Sequence, residues 1–457
     1  MNTYQRIVTA LACLGITSGA ALADILRVDI TAAPGGDGSS WSRAFDSLTD
    51  ALAASGSGDQ LWVAKGVYVP DTPAGRGATF TIPDGVGVYG GFSGGESSLA
   101  QRGDPLDPET TLSGQGVSYH VVSIFNAGPG TILDGFFIIR GLADVSGGLR
   151  DHGAGILADD AAPTLRNLVI TDCHASNQGG AIALEGAYPN FATISDCQIL
   201  GNTASLSGGG VSADVSTTID RCEFISNASN TAGALWLAGV GVHSVFDSEF
   251  RSNSSSVGVG GAVSVLMTSP AAVTVFDGCE FRSNSSPQAG AIGYLFDGDH
   301  TVRKSRFIGN ESTSIGANAL RFDTGENSQL TIENCLFSGN DGDGTGAIDN
   351  DSDGLLRLIN STVVNNHSTS VGGGVFCPDG DTRIDNSILW GNDGAASGGQ
   401  DDNLWTNLVG TVTLNRSIVQ SLGMGDPAPA GVGNLSADPM FVDADGPDNN
   451  PGTTDDN

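Results

Sequence analysis

From Cys222 to Asn340 the chain repeats one phrase five times: an aromatic, two intervening residues, then asparagine. The pairs are Phe224 and Asn227, Phe250 and Asn253, Phe281 and Asn284, Phe307 and Asn310, and Phe337 and Asn340. Each is followed by a small-residue corner and an aliphatic, as in Gly233-Ala234-Leu235, Gly260-Gly261-Ala262-Val263, Gly290-Ala291-Ile292, Asn318-Ala319-Leu320 and Gly346-Ala347-Ile348. The position two before the aromatic is small (Cys197, Cys222, Ser248, Cys279, Ser305, Cys335, Ser361, Ser387, Ser417), with Leu168 and Gly135 as degenerate earlier members. The residue two further on is apolar and the one between mostly polar, which is the period of a half-buried strand.

Self-similarity at 25 to 31 residues marks a solenoid, whose units bury their apolar faces only against one another. A helical repeat would require apolar spacing of three and four. These units are instead rich in Gly, Ser, Asn, Thr and Val, with 67 Gly in 457 residues, and so favour short strands and tight turns. The expectation is an all-β chain: a right-handed parallel β-helix of about eleven coils, with insertions confined to loops on one side. Asn202, Asn227, Asn253, Asn284, Asn310, Asn340, Asn366 and Asn392 then lie one strand spacing apart, about 4.8 Å, and pass hydrogen bonds along the stack. Five of them also read as N-x-[ST] sequons, a reading set aside because a laddered amide is closed to a glycosyltransferase.

The paired signatures, Phe-x-x-Asn and Gly-Gly-Ala-Ile (complete as Gly179-Gly180-Ala181-Ile182), resemble the repeats of the chlamydial polymorphic outer membrane proteins. The resemblance covers roughly residues 130 to 420. It implies the wider class of right-handed parallel β-helix proteins with a pectin-lyase-like fold, and implies fold more firmly than activity.

Residues 1–23 read as a secretory signal peptide, with Arg6, an apolar run from Ile7 to Ile16 and Ala21-Leu22-Ala23 before Asp24, so an exported or cell-surface protein is expected. Residues 24–125 form an N-terminal cap and the first irregular coils. Within them, a helix over 44–54 carries Phe45, Leu48 and Leu52 on one stripe, and a strand runs from Leu61 to Val69. The cap covers an otherwise open sheet edge. Residues 126–422 are the β-helix repeats, and 423–457 an acidic, Gly- and Pro-rich tail. Stopping in an acidic loop leaves the last coil without an obvious cap, which leaves a fragment and a whole chain both open. The resemblance implies a membrane barrel beyond the repeats, for which the tail has no strands, and no transmembrane segment follows the signal.

Net charge is −32, which makes nucleic acid and anionic surfaces poor partners and leaves cations and neutral surfaces as better ones. The six cysteines beyond the signal peptide share a small inward position with serine, apart from Cys173, displaced to the asparagine position of its coil, and Cys377. No metal is assigned to sulfur.

Candidate chemistry is sparse. Glu223, Glu249 and Glu280 stack on successive coils, giving Glu249 and Glu280 the spacing of a glycosidase pair, but strand separation produces that spacing automatically, and Arg251 and Arg282 point to a charge-balanced face. Gly399-Gln400-Asp401-Asp402 resembles the aspartate pair of polygalacturonases, whose other signatures are missing here; Asp401 and Asp402 are retained as candidates. A lyase needs a basic residue facing a carboxylate cluster, and no Arg stands beside one on a strand recognisable from sequence. The six histidines are scattered without metal or triad spacing, and most read as turn or surface residues. Asp443, Asp445 and Asp448 offer oxygen ligands for Ca²⁺, the only cofactor suggested and one that nothing requires.

Two functions remain. The first is an exported structural or adhesive protein presenting a binding surface to an extracellular glycan or cell-surface partner. The second is a carbohydrate-active enzyme, a polysaccharide lyase or glycoside hydrolase, on the same scaffold. Sequence favours the first, and a wall gathering three carboxylates, or carboxylates with arginine, would favour the second.

Overall fold

The computed structural model describes residues 23–70, 72–105, 109–186, 191–394, 403–406, 411–420 and 431–441. These residues wind into a parallel β-solenoid in which every paired strand has the same direction as its neighbours on the coils above and below. One coil shows the plan. The strand Val263–Met267 belongs to what we call the B wall. A loop leads to Val273–Asp277, then a corner to Glu280–Arg282, both on the A wall. A second corner leads to the two-residue strand Ser285–Ser286 on the C wall, and a small-residue turn returns the chain to the B wall at Ile292–Phe296. The B wall holds twelve described strands, one more than the eleven coils expected. The coils stretched to 31 and 30 residues are lengthened at the B-to-A loops 268–272 and 324–328 and also at the C-to-B turns 256–262 and 313–319, so length variation falls on two edges and not on the one side expected.

The repeat phrase now has a physical meaning at each position. Phe224, Phe250, Phe281, Phe307 and Phe337 point into the lumen, are fully buried, and stack with ring centroids 4.4–4.9 Å apart and planes within 10° of parallel. Each ladder asparagine donates from Nδ2 to a carbonyl one coil back and to the Oδ1 of the asparagine one coil on. Asn284, for instance, donates to Phe250 O at 2.8 Å and to Asn310 Oδ1 at 3.0 Å, and its own Oδ1 accepts from the backbone and side chain of Asn253. The small position forms a second ladder: Cys222, Cys279, Cys335, Ser361 and Ser387 each donate a backbone N–H to the serine Oγ of the next coil. From Cys197 onward the position holds a thiol or a hydroxyl, whereas Leu168 and Phe136 fill it in the two earlier coils. The six described cysteines are all free and buried.

Both A-wall corners turn through the left-handed region. The residue before the small position (Asp196, Arg221, Asp247, Lys304, Asn334, Asn360) and the residue before the asparagine (Ser226, Ser252, Ser283, Asn365) have φ between 44° and 56°. Such residues carry local strain, which the two adjacent ladders hold in place. At the turn into the B wall the coils approach so closely that a Cβ on Gly261 would lie 2.1 Å from Gly290 O, and one on Gly290 would lie 2.1 Å from Asn318 O. That is why the corner is written in glycine.

Three further sequence expectations are corrected. The N-terminal helix is shorter than 44–54: it spans Leu48–Ala54, because Ser47 caps it by accepting from the Asp50 N–H, while Phe45 instead pairs with Val28 as an isolated parallel bridge. The strand expected over Leu61–Val69 is broken at Lys65 into Gln60–Ala64 and Gly66–Tyr68. In the earliest regular coil, Phe136 rather than Gly135 pairs with Leu168, and Gly135 occupies the left-handed corner with φ 82°. Two histidines also belong to the core and not the surface. His243 and His300 lie on the inward row Thr217–His243–Thr274–His300 of the A wall. Burial lowers their pKa values to about 4 and about 3.

Two outcomes follow. Phe281→Ala should cost about 3–5 kcal/mol by opening a cavity in the ring stack. Asn284→Ala should cost roughly 3 kcal/mol by stranding its donors and acceptors, and Arg282→Ala, more enclosed than its sequence position suggested, about 1 kcal/mol; urea unfolding of the three variants checks the order. The buried histidines favour folding only while neutral. As pH falls below the unfolded value of about 6.5 the unfolded chain takes up protons that the folded chain refuses, so stability drops towards pH 4 at up to ~1.4 kcal/mol per unit per histidine. His300→Asn should shallow that slope in unfolding titrations across pH 4–7, and an unchanged slope would refute the assignment.

Candidate functional site

The outer face of the B wall carries the chemistry. Its strands alternate, so the second and fourth residues of each point away from the lumen. The fourth position, three residues after the corner aliphatic, is Phe125, Asp159, Glu185, Asp214, Ala238, Leu266, Leu295, Asp323 and Asp351 on successive coils; Asp214 and Asp351 lie one residue past their strands. Acidic residues therefore gather in two groups, separated by an apolar stretch.

The first group spans the coils of Asp159, Glu185 and Asp214. His152, in the turn that precedes this part of the wall, donates from Nδ1 to Glu185 Oε1 at 2.7 Å and accepts at Nε2 from Asn177 Nδ2 at 2.8 Å. Burial depresses the imidazole, but the Glu185 bond and the surrounding carboxylates outweigh it and raise the pKa. The Asp214 carboxyl is pushed up to about 6 by burial, by the charge of Glu185 and by a hydrogen bond the two carboxyls share. Asp159 is also raised, by burial and by the charges of Asp160 and Glu185. One coil before Asp159 the wall opens into a groove of about 460 Å³ lined by Arg76, Tyr119, His120, Ser123, Phe125 and Arg150. Arg76 pairs with Asp144 and stacks on the Tyr119 ring at 4.6 Å. The arrangement joins a proton-sharing acid pair, a histidine that orients it, and an adjacent groove with aromatic and basic sides.

The second group begins four strands beyond Asp214. Arg321 donates to Asp351 Oδ2 at 2.8 Å and to Gln288 Oε1 at 2.8 Å, and pairs with Asp323 at 3.0 Å. Asp349, next to Arg321 on the second-position row, is buried; Thr345 donates to its Oδ2 at 2.9 Å, and its Oδ1 has no donor among the described residues. Burial raises the Asp349 pKa to about 7. The same row continues to Phe376 and Trp405, whose rings stack at 4.5 Å. Between the groups, Trp236 stands on the second-position row with Ser212 and Ser264 as neighbours, and Leu266 and Leu295 are half-buried on the fourth.

The chain matches the model of the family described as "Right handed beta helix region" over residues 144–285 and 210–394, which together span more than half its length. The chain belongs to this family. No curated protein matches it. Among solved structures it is similar to pectate lyase Pel9A, at 14% identity over 92% of this chain and 80% of that one with a TM-score of 0.28. It is also similar to the Azotobacter vinelandii mannuronan C-5 epimerase AlgE4 A-module, at 12% identity over 82% and 94%, with a TM-score of 0.31. At these scores neither likeness bears on activity.

The residues nominated from sequence lie elsewhere. Glu249 and Glu280 are on the A wall, in register with Glu223 and Arg306. Glu249 accepts from Arg251 at 2.9 Å and Glu280 from Arg282 at 3.2 Å, as a charge-balanced face requires. Asp401, Asp402, Asp443, Asp445 and Asp448 lie outside the described residues. Among the described residues no group of three His, Cys, Asp or Glu side chains is disposed to hold a metal ion, and no helix is long and apolar enough to cross a membrane. One sequence statement is overturned: Arg321 does stand beside an acidic cluster on a strand, Leu320–Asp323. His152 lies in a turn, as read from sequence, with its imidazole against Glu185. A signal existed. Counting three residues from each corner aliphatic gives Asp159, Glu185, Asp214, Asp323 and Asp351 in phase, but the count has to be made along the B wall, where no aromatic marks the register.

Asp349 provides a test. Its folded pKa is raised, so folding favours the neutral form; that contribution is present at low pH and is lost as pH rises towards and through 7. Asp349→Asn should therefore hold its stability between pH 5 and pH 8 where the parent loses some, a slope of opposite sign to that of the lumen histidines. Equal losses in the two proteins, measured by urea unfolding at both pH values, would count against a buried neutral carboxyl.

Proposed function

We propose that this protein is an exported carbohydrate-active β-helix that binds a saccharide chain along the outer B wall and cleaves it by general acid–base chemistry at Asp159, Glu185 and Asp214. The observation that carries this reading is the placing of the acid pair: Asp214 and Glu185 stand at the same position of adjacent strands, His152 meets Glu185 at 2.7 Å and Asn177 at 2.8 Å, and an open groove lies alongside; burial and the Glu185 charge push the Asp214 pKa up to about 6. Structural ion pairs are seldom built so that one carboxyl stays protonated near neutrality.

In this reading Asp214 donates its proton to the departing glycosidic oxygen. Glu185 is too close to Asp214 to act as the separate partner of a retaining or an inverting pair. Its role is to keep Asp214 protonated until turnover, because its own negative charge beside that carboxyl raises the Asp214 pKa, with His152 fixing its rotamer. Asp159 lies two strands from Asp214, roughly 9.6 Å along the wall, near the upper end of the ~6.5–9.5 Å over which an inverting enzyme fits a water between acid and base. Asp159 is therefore assigned to activate that water.

The adhesive reading draws on a different observation. The A wall presents an ion-paired surface, Glu249 with Arg251 and Glu280 with Arg282 and Arg306, and the sequence phrase there resembles the chlamydial repeats. Export rests on residues 1–23 and is tested by fractionation of the native host.

The acid assignment predicts a pH profile. Turnover, read as reducing ends released from a panel of neutral, cationic and acidic polysaccharides, should fall as pH rises above about 6, where Asp214 loses its proton. Asp214→Asn should lower kcat by about 10²-fold or more, and Glu185→Gln should move the alkaline limb to lower pH by relieving the charge that raises Asp214. A panel with no turnover on any member, or turnover insensitive to Asp214→Asn in a folded protein, would reverse the choice in favour of the adhesive reading.

A further inference from the structure

The proposed saccharide site also has a sign. Along its two outward rows, the described part of the B wall sets six carboxyl groups, Asp159, Glu185, Asp214, Asp323, Asp349 and Asp351, against one guanidinium, Arg321. Arg321 is already engaged by Asp323, Asp351 and Gln288, and the other nearby arginine with a named partner, Arg76, is engaged by Asp144. Between Asp159 and Asp351 a polyanion laid on these strands would meet carboxyl groups in excess of guanidiniums, the basic side of the adjoining groove, Arg76 and Arg150, lying one coil before Asp159.

The middle of the path is neither acidic nor rough. Trp236 has Ser212 and Ser264 as row neighbours, with Gly293 next beyond Ser264, so small residues flank this ring until the row reaches Arg321. Ala238, Leu266 and Leu295 occupy the parallel row. An indole among small neighbours offers apolar surface to the C–H face of a sugar ring, and the carboxylates before and after it accept hydrogen bonds from hydroxyl or ammonium groups. At the far end Asp323 and Asp351 remain partly exposed, with side chains 40% accessible. The unmatched Asp349 Oδ1 beneath them marks a place where acceptors outnumber donors. From the coil of Glu185 to that of Arg321 is five strand spacings, roughly 24 Å, a span that a chain of several sugars covers and a disaccharide does not.

We infer that the ligand of this wall is an extended saccharide that is uncharged or amine-bearing, running from Asp159, Glu185 and Asp214 over Trp236 to Asp323 and Asp351, and that polyuronates are excluded by the wall's own charge. This rests on the proposed saccharide-binding role but not on the assigned acid or on cleavage.

The test is calorimetric titration of the whole secreted chain with three hexasaccharides, of glucosamine, of β-1,4-linked glucose and of galacturonate, each with and without Ca²⁺. The glucosamine and glucose hexamers should bind, and the galacturonate hexamer should not under either condition. Trp236→Ala should weaken both bound hexamers by about tenfold or more. The double change Asp323→Asn with Asp351→Asn, close in shape and uncharged, should weaken the glucosamine hexamer by about tenfold and flatten its salt dependence, with less than about a twofold effect on glucose. Thermal melts confirm that each variant is folded. Binding of galacturonate as tight as that of either other hexamer, or no effect of Trp236→Ala, overturns the inference. No binding by any hexamer overturns it together with the saccharide role. Binding in the expected order with turnover untouched by Asp214→Asn leaves the inference standing and removes only the catalytic assignment.

Discussion

Everything in this molecule depends on buried amides that must be paired at the spacing of a parallel sheet. An asparagine in the lumen corner is costly unless both its donor and its acceptor are met. Stacking coils at one strand spacing meets them with the same residue one turn away, from Asn202 through Asn392. The ladder then fixes the register of the whole coil, since a slip of one residue would turn the Phe stack outward and break every rung. The left-handed corners and the glycine turn follow from that register. At each end another residue finishes the ladder: the Cys173 N–H donates to Asn202 Oδ1, and Asn403, out of phase with the repeat, receives the last rung from Asn392 and donates to Gln420 O.

With register fixed from within, the outer faces carry little of the stability and are free to differ. The A wall uses that freedom for charge-paired Glu and Arg. The B wall places carboxyls side by side, where proximity and partial burial keep some of them protonated near neutrality. Such neighbours oppose folding at higher pH, while the lumen histidines oppose it at lower pH. The two opposed slopes define a middle range between them, and the Asp214 carboxyl, pushed up to about 6 by burial and the Glu185 charge, falls inside it. The same carboxyls set the charge of the wall, so the proposed catalysis, the inferred selectivity and the pH response draw on one set of residues.

The sequence by itself determined the fold class, the register and the function of the repeat phrase. Phe281, Asn284 and Cys279 each impose a requirement that only an in-phase stack satisfies, and a short-range period of two with a long-range period near 26 leaves few other solutions. It also gave the ion-paired character of Glu249 and Glu280, because residues on one short strand meet without help from topology. Tertiary structure alone decided the site. His152 and Glu185 are 33 residues apart, Arg321 and Asp351 are 30, and what joins them is the winding of the coil, which brings loop residues over a wall built from the neighbouring turns. It likewise decided that His243 and His300 face inward, since a strand's alternation is known only up to which face is the lumen until its neighbours are placed. A polar residue at an outward position looks the same in sequence whether it meets water or another carboxyl; only the adjacent coil determines which.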